Sequence, residues 1–138
     1  MSELRKPYPS VRFELKGVPP SFSNLRLHWA KLSRLKDEWF SRAWYMGQSA
    51  RILAGWIVAD ARFGDRRLVR ITLHRARLLD PDNLVSSIKP VLDGLKKNLI
   101  VDDSPQWCEL AVDQVKVKTR LEEHVEVVVE PISAEAKG

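Results

Sequence analysis

Val11, Phe13 and Leu15 alternate with Arg12, Glu14 and Lys16, the two-residue period of a half-buried strand. Gly17 to Pro20 ends it, because consecutive prolines cannot feed a hydrogen-bonded ladder, and a polar loop, SFSN, follows. From about 29 to 61 there is no proline, and Leu32, Leu35, Trp39, Ala43, Met46, Ala50, Leu53 and Ile57 recur at helical intervals of three and four. Gly47 and Gly55 leave open whether this is one long helix or two shorter ones. Val69, Ile71 and Leu73 alternate with Arg70, Thr72 and His74, giving a second strand.

A second amphipathic helix is expected from about Asp82 to Lys97, with Asp82 or Asn83 as N-cap. Leu84, Ile88, Val91, Leu92, Leu95 and Leu99 form its apolar stripe; Asp82, Ser86, Lys89, Asp93 and Lys97 fall opposite. Pro90 removes one backbone bond inside it and predicts a kink or a restart. Two valine-rich strands, near 108–118 and 124–130, close the chain, and the short connector between them predicts a hairpin. The order β-α-β-α-β-β predicts an α+β fold, with a mixed four-stranded sheet and helices packed on one face. The chain of 138 residues fits a single domain, with a core from about 8 to 131 and a frayed tail over 132–138.

Charge sharpens this picture. The net charge of +5 favours polyanion partners and long-range steering. A lone cysteine, Cys108, excludes an internal disulfide and makes a reducing, cytoplasmic setting the expectation. The N-terminal MSELRKPYPS lacks the apolar core of a signal peptide. The most apolar run, Ile52 to Ala59, is too short to span a bilayer, so no membrane association is expected.

Carboxylates bracket the second helix: Asp80 and Asp82 before it, Asp102 and Asp103 after it. The helix would be roughly 22 Å long. The return from Asn98 to Asp103 reaches at most about 20 Å, enough to bring the pairs together without requiring it. Clustered carboxylates repel one another, and a cation would relieve that. All-oxygen donors select Mg²⁺ or Mn²⁺, and a hard cation in a basic protein suggests phosphodiester hydrolysis. His28, His74 and His124 are scattered along the chain and offer no ligand cluster. A calcium loop counted from Asp80 fails, since Val85 and Val91 stand where glycine and glutamate are needed. Lys89 lies seven residues after Asp82 and points to the same side, so its ammonium could reach a phosphate. Other readings stay open: Asp80 and Asp82 as turn and cap residues, Asp102 and Asp103 as an ordinary loop, and Lys89 in a surface pair with Asp93.

The sequence DPDNL, then KPVLDGL, then DDSP resembles the RusA family of Holliday junction resolvases, found in phages and prophages; PPSFSN followed by LRLHW resembles its early PPSxN loop. The resemblance runs from about Val18 to Glu130. It implies a homodimeric, Mg²⁺-dependent endonuclease that nicks four-way DNA junctions symmetrically in a bacterial or phage-infected cell, with no small-molecule cofactor. Asp80 and Asp82 match the D-x-D metal ligands, Asp103 the catalytic second aspartate with Asp102 its neighbour, and Lys89 the lysine four residues before D-[AG]-L. Two departures stand out: three extra residues separate D-x-D-N-L from the lysine, and Asn24 lies one residue late after PPS.

Arg66, Arg67, Arg70, Arg75 and Arg77 precede the aspartates. Some of them are expected beside the metal, with Arg75 and Arg77 foremost and Arg70 a further candidate for DNA contact; the alternative is a solvated strand edge. Asn24 is a candidate DNA contact, and Arg26, Lys31 and Arg34 form a second basic group. Of the five tryptophans, Trp39 is expected in the core, Trp29, Trp44 and Trp56 in the core or a dimer interface, and Trp107 in a structural role. Four functions fit these observations: the junction-resolving endonuclease; a metal-dependent nuclease for other branched DNA or RNA; a non-cleaving DNA-binding module; and a basic structural protein whose aspartates are only caps and turns.

Overall fold

The computed structural model describes residues 10–96 and 98–132. Four strands and two helices follow in the order β1 (Val11–Lys16), α1 (Trp29–Leu53), β2 (Arg67–Arg75), α2 (Pro81–Leu95), β3 (Cys108–Lys116) and β4 (His124–Pro131). They form an α+β fold around a mixed sheet of strand order β1-β4-β2-β3. The β2–β3 pair is parallel, while β4 runs antiparallel to both β1 and β2. Val11, Phe13 and Leu15, Val69, Ile71 and Leu73, and Val125, Val127 and Val129 all join one core with Trp39, Ala43, Ile88, Val91 and Leu95 of the helices. Both helices therefore cover the same face of the sheet.

The expected hairpin between the last two strands does not form, because β2 lies between them. Burial explains the order. Val125, Val127 and Val129 are fully buried and Val128 half-buried, so β4 takes a central place. Glu109, Asp113 and Lys116 leave β3 largely exposed, as suits a charged edge strand. The connector crosses the end of β2, held by Val117 N donating to Arg75 O and Ala76 N to the Glu123 carboxylate, each at 2.9 Å.

One unbroken helix spans Trp29–Leu53. Gly47 does not break it: a side chain there would press on Leu99, so the glycine admits close packing. Gly55, at φ +77°, adopts the left-handed conformation just past the end and marks the stop. Met46, Leu53 and Ile57, expected on the apolar stripe, are exposed. Trp39 and Trp56 are buried, whereas Trp29 and Trp44 are exposed.

The second helix starts at Pro81, one residue before the expected Asp82, and neither Asp82 nor Asn83 is its N-cap. Asp80 is the N-cap, its carboxylate accepting from Asn83 N at 2.9 Å, and Pro81 occupies the first turn, where its missing N–H costs nothing. The helix runs through Pro90 without a restart. Gly94 lets α1 and α2 touch: a Cβ there would lie 2.7 Å from Phe40 O and 2.8 Å from the Ala43 Cβ. Lys97 and the expected frayed tail from Ser133 onward lie outside the described residues. Among the described residues, no helix is long and apolar enough to cross a membrane.

Candidate functional site

The polar stripe of α2 gathers segments that are distant in sequence. At its start, both oxygens of Asp80 are engaged by Asn83, through the backbone N at 2.9 Å and Nδ2 at 3.1 Å. The Asn83 carbonyl oxygen accepts from the Ser23 hydroxyl at 3.0 Å, which docks the PPSFSN loop onto the D-x-D-N-L segment. Asp82 stands exposed in the first turn, where the helix dipole favours a negative charge.

Further along, the loop after α2 does fold back. Lys89 Nζ donates to Asp103 Oδ2 at 2.6 Å and to Asp93 Oδ1 at 3.0 Å. Lys96 Nζ lies 3.1 Å from Asp93, 3.3 Å from Asp103 and 3.8 Å from Asp102. The hydrogen bond from Lys89 holds the Asp103 carboxyl below its ordinary range, against the opposing effect of burial. Reciprocally, Asp103 and then Asp93 raise the Lys89 ammonium, and Asp93 raises Lys96. The surface pair between Lys89 and Asp93 thus exists, and Lys89 contacts the D-D segment as well.

A groove of about 740 Å³ opens beside this stripe. Phe22, Ser23 and Leu25 of the PPS loop form one wall, Leu32, Lys36 and Phe40 of α1 another, and Ser86, Lys89 and Asp93 of α2 the third. Lys89 is shared between the groove and the Asp103 pair.

The four aspartates offer the oxygen donors that a hard divalent cation takes, but they are not drawn together as they stand. No three of their carboxylate oxygens lie within 4.8 Å of one another. Asp80 and Asp82 sit at the start of the stripe, and Asp102 and Asp103 sit near its end with Lys89 and Lys96. The loop does return along the helix, as chain length permits, and its carboxylates pair with Lys89 and Lys96.

Among the arginines, Arg75 is interior, only 8% exposed. Its guanidinium donates to Pro19 O at 2.8 Å and Arg77 O at 3.0 Å, and burial lowers its pKa. It braces the start of the PPS loop against the end of β2 and is not placed to hold a phosphate. Arg70 points away from the helices and lies 3.4 Å from Glu130, so it is not beside the aspartates. Arg67 is buried too, donating to Leu99 O at 3.3 Å and stacked over Trp56 at 4.5 Å. Arg77, Asn24 and Lys31 are exposed, and all three remain accessible to a polyanion.

One cluster escaped the sequence reading. His74 and His124 are cross-strand partners, and with Glu126 they place three ligand atoms within 4.8 Å of one another. The histidines are therefore not all scattered. Only the alternation of His74 with buried Ile71 and Leu73 hinted at its face, and the pairing register supplies the rest. Comparison with known proteins adds no relative: no family model, no curated protein and no solved structure matches the chain.

Proposed function

We propose that this chain is a Mg²⁺-dependent, structure-specific endonuclease that resolves four-way DNA junctions by paired, symmetric phosphodiester hydrolysis, as the resemblance to RusA-family resolvases implies. The observation that carries the reading is the convergence on the stripe of α2. The PPSFSN loop, the D-x-D-N-L start, Lys89 and the D-D pair all meet it, through Ser23–Asn83 and Lys89–Asp103. Nothing in local chain geometry requires a loop sixty positions away to bond Asn83.

In this reading Lys89 meets the phosphate from the groove wall, its charge stabilised by Asp103. Asp80, Asp82 and Asp103, with Asp102 as neighbour, are the candidate ligands for Mg²⁺, with Mn²⁺ as substitute, on the chemistry of their oxygens alone. Arg77, Lys31 and Asn24 supply exposed contacts for DNA backbones. A homodimer would place one site on each of two opposed strands.

The test is a labelled synthetic four-way junction beside a matched linear duplex, each with Mg²⁺ and with chelator. Paired, metal-dependent nicks in the junction alone support the reading. Cutting of both substrates makes the chain a general nuclease, and tight binding without cutting in Mg²⁺ or Mn²⁺ makes it a DNA-binding module. Asp82→Asn is expected to abolish cleavage while junction binding persists; loss of binding and folding together would remove Asp82 from a metal role. Binding should weaken steeply as salt rises, since phosphate contacts release counterions.

A further inference from the structure

We infer that the face of the sheet turned away from the helices carries a second metal site, built from His74, His124 and Glu126 and suited to Zn²⁺ or a similar transition ion. It is independent of the aspartates of α2 and of the nuclease reading.

Three observations carry it. First, the antiparallel register sets His74 directly opposite His124, with Glu126 one row along on the same face. The three donors lie within 4.8 Å of one another, and all three residues are half-buried. Two imidazoles and one carboxylate are the donor set that borderline ions take up, in contrast to the all-oxygen sets of Mg²⁺.

Second, His124 is already oriented. Its Nδ1 lies 2.9 Å from Glu122 O, and a carbonyl can only accept, so Nδ1 carries the proton. The neutral ring then presents the lone pair of Nε2. A backbone carbonyl behind a ligating histidine is a common supporting contact in metal sites. That carbonyl is itself fixed, because the Glu122 side chain accepts from Thr119 N at 3.0 Å and from its hydroxyl at 3.2 Å.

Third, Glu126 already engages His74, with Oε1 3.0 Å from Nε2. The two rings stack with centroids 4.0 Å apart and planes at 10°. Donors on one tetrahedral zinc are about 3.4 Å apart. An ion would take the place of the proton that His74 Nε2 now shares with the Glu126 carboxylate, and the His74 ring, rather than the held His124 ring, would turn out of the stack to meet it. Three protein ligands leave one coordination position for water or another ligand, and the half-exposed cluster gives it access. The ion would tie β2 to β4 one residue before Arg75, the brace of the PPS loop.

The experiment is calorimetric titration of the full chain with Zn²⁺ in a buffer that already holds Mg²⁺. One Zn²⁺ per chain is expected, with Tm rising as the metal binds the folded state. His124→Gln and Glu126→Gln should each weaken uptake about tenfold or more. Glu126→Gln is the variant that keeps shape on the surface, and circular dichroism confirms its folding. Asp82→Asn should leave uptake unchanged. Co²⁺ in place of Zn²⁺ should give visible absorption bands that His124→Gln removes. The inference is overturned if the wild-type chain takes up no Zn²⁺, if uptake survives in folded Glu126→Gln and His124→Gln, or if Asp82→Asn abolishes it.

Discussion

On the side of the sheet covered by helices, Lys89 meets Asp103 across only 14 positions of sequence; on the open side, His74 meets Glu126 across 52. The first cluster is made by one helix and the loop that returns along it. The second is made by the register of two strands that come from different parts of the chain. A helix and its return loop have a length and a periodicity that can be read from residues alone. Strand register depends on which strands become neighbours, and that is decided by the whole core.

The strongest way to break the helix-side cluster is to separate its scaffold. Gly94→Leu would drive a side chain into Phe40 O and Ala43, and overpacking of this kind costs about 3 kcal/mol. Urea unfolding measures it. Wild-type stability in this variant would mean that α1 and α2 are not packed as described.

A sharper contrast lies along one strand, between two arginines on opposite faces. Arg75→Met should leave the carbonyls of Pro19 and Arg77 without their donors inside the protein and cost about 1–3 kcal/mol. Arg70→Gln, whose side chain is exposed beside Glu130, should stay within about 0.5 kcal/mol of wild type. Equal effects in thermal unfolding would erase the distinction between the faces.

The smallest effect concerns the Asp103 pair. Its carboxyl is held below the ordinary 3.8 by Lys89, so the pair stabilises the fold above that value and its contribution fades as pH falls through the lower folded value. Lys89 is raised above 10.5, so its part is full below that pH and is lost as pH rises through the higher folded value. Asp103→Asn should remove the acid-side dependence and cost about 0.2–1 kcal/mol at neutral pH, because the pair is solvent-screened. Denaturation midpoints followed from neutral to acid pH would reveal it; identical profiles for the two proteins would dissolve the pair as a stabilising contact.

The sequence by itself determined the element order, the one-sided burial of β1 and β2 and the apolar stripe of α2. Period-two and period-three-to-four patterns encode which face of an element is apolar, and they act locally. It also indicated that the D-D loop is able to reach the helix, from chain length alone. Tertiary structure decided the rest. It placed β2 between β3 and β4, because the valines of β4 are buried and the charges of β3 are not. It turned Arg75 from a candidate phosphate contact into a brace, since burial and two backbone carbonyls fix its guanidinium. It gave Asp103 to Lys89 and Lys96, because opposite charges within reach pair while like charges stay apart. And it brought His74 to His124, a meeting that no local pattern specifies, because register is a property of two strands and not of either one.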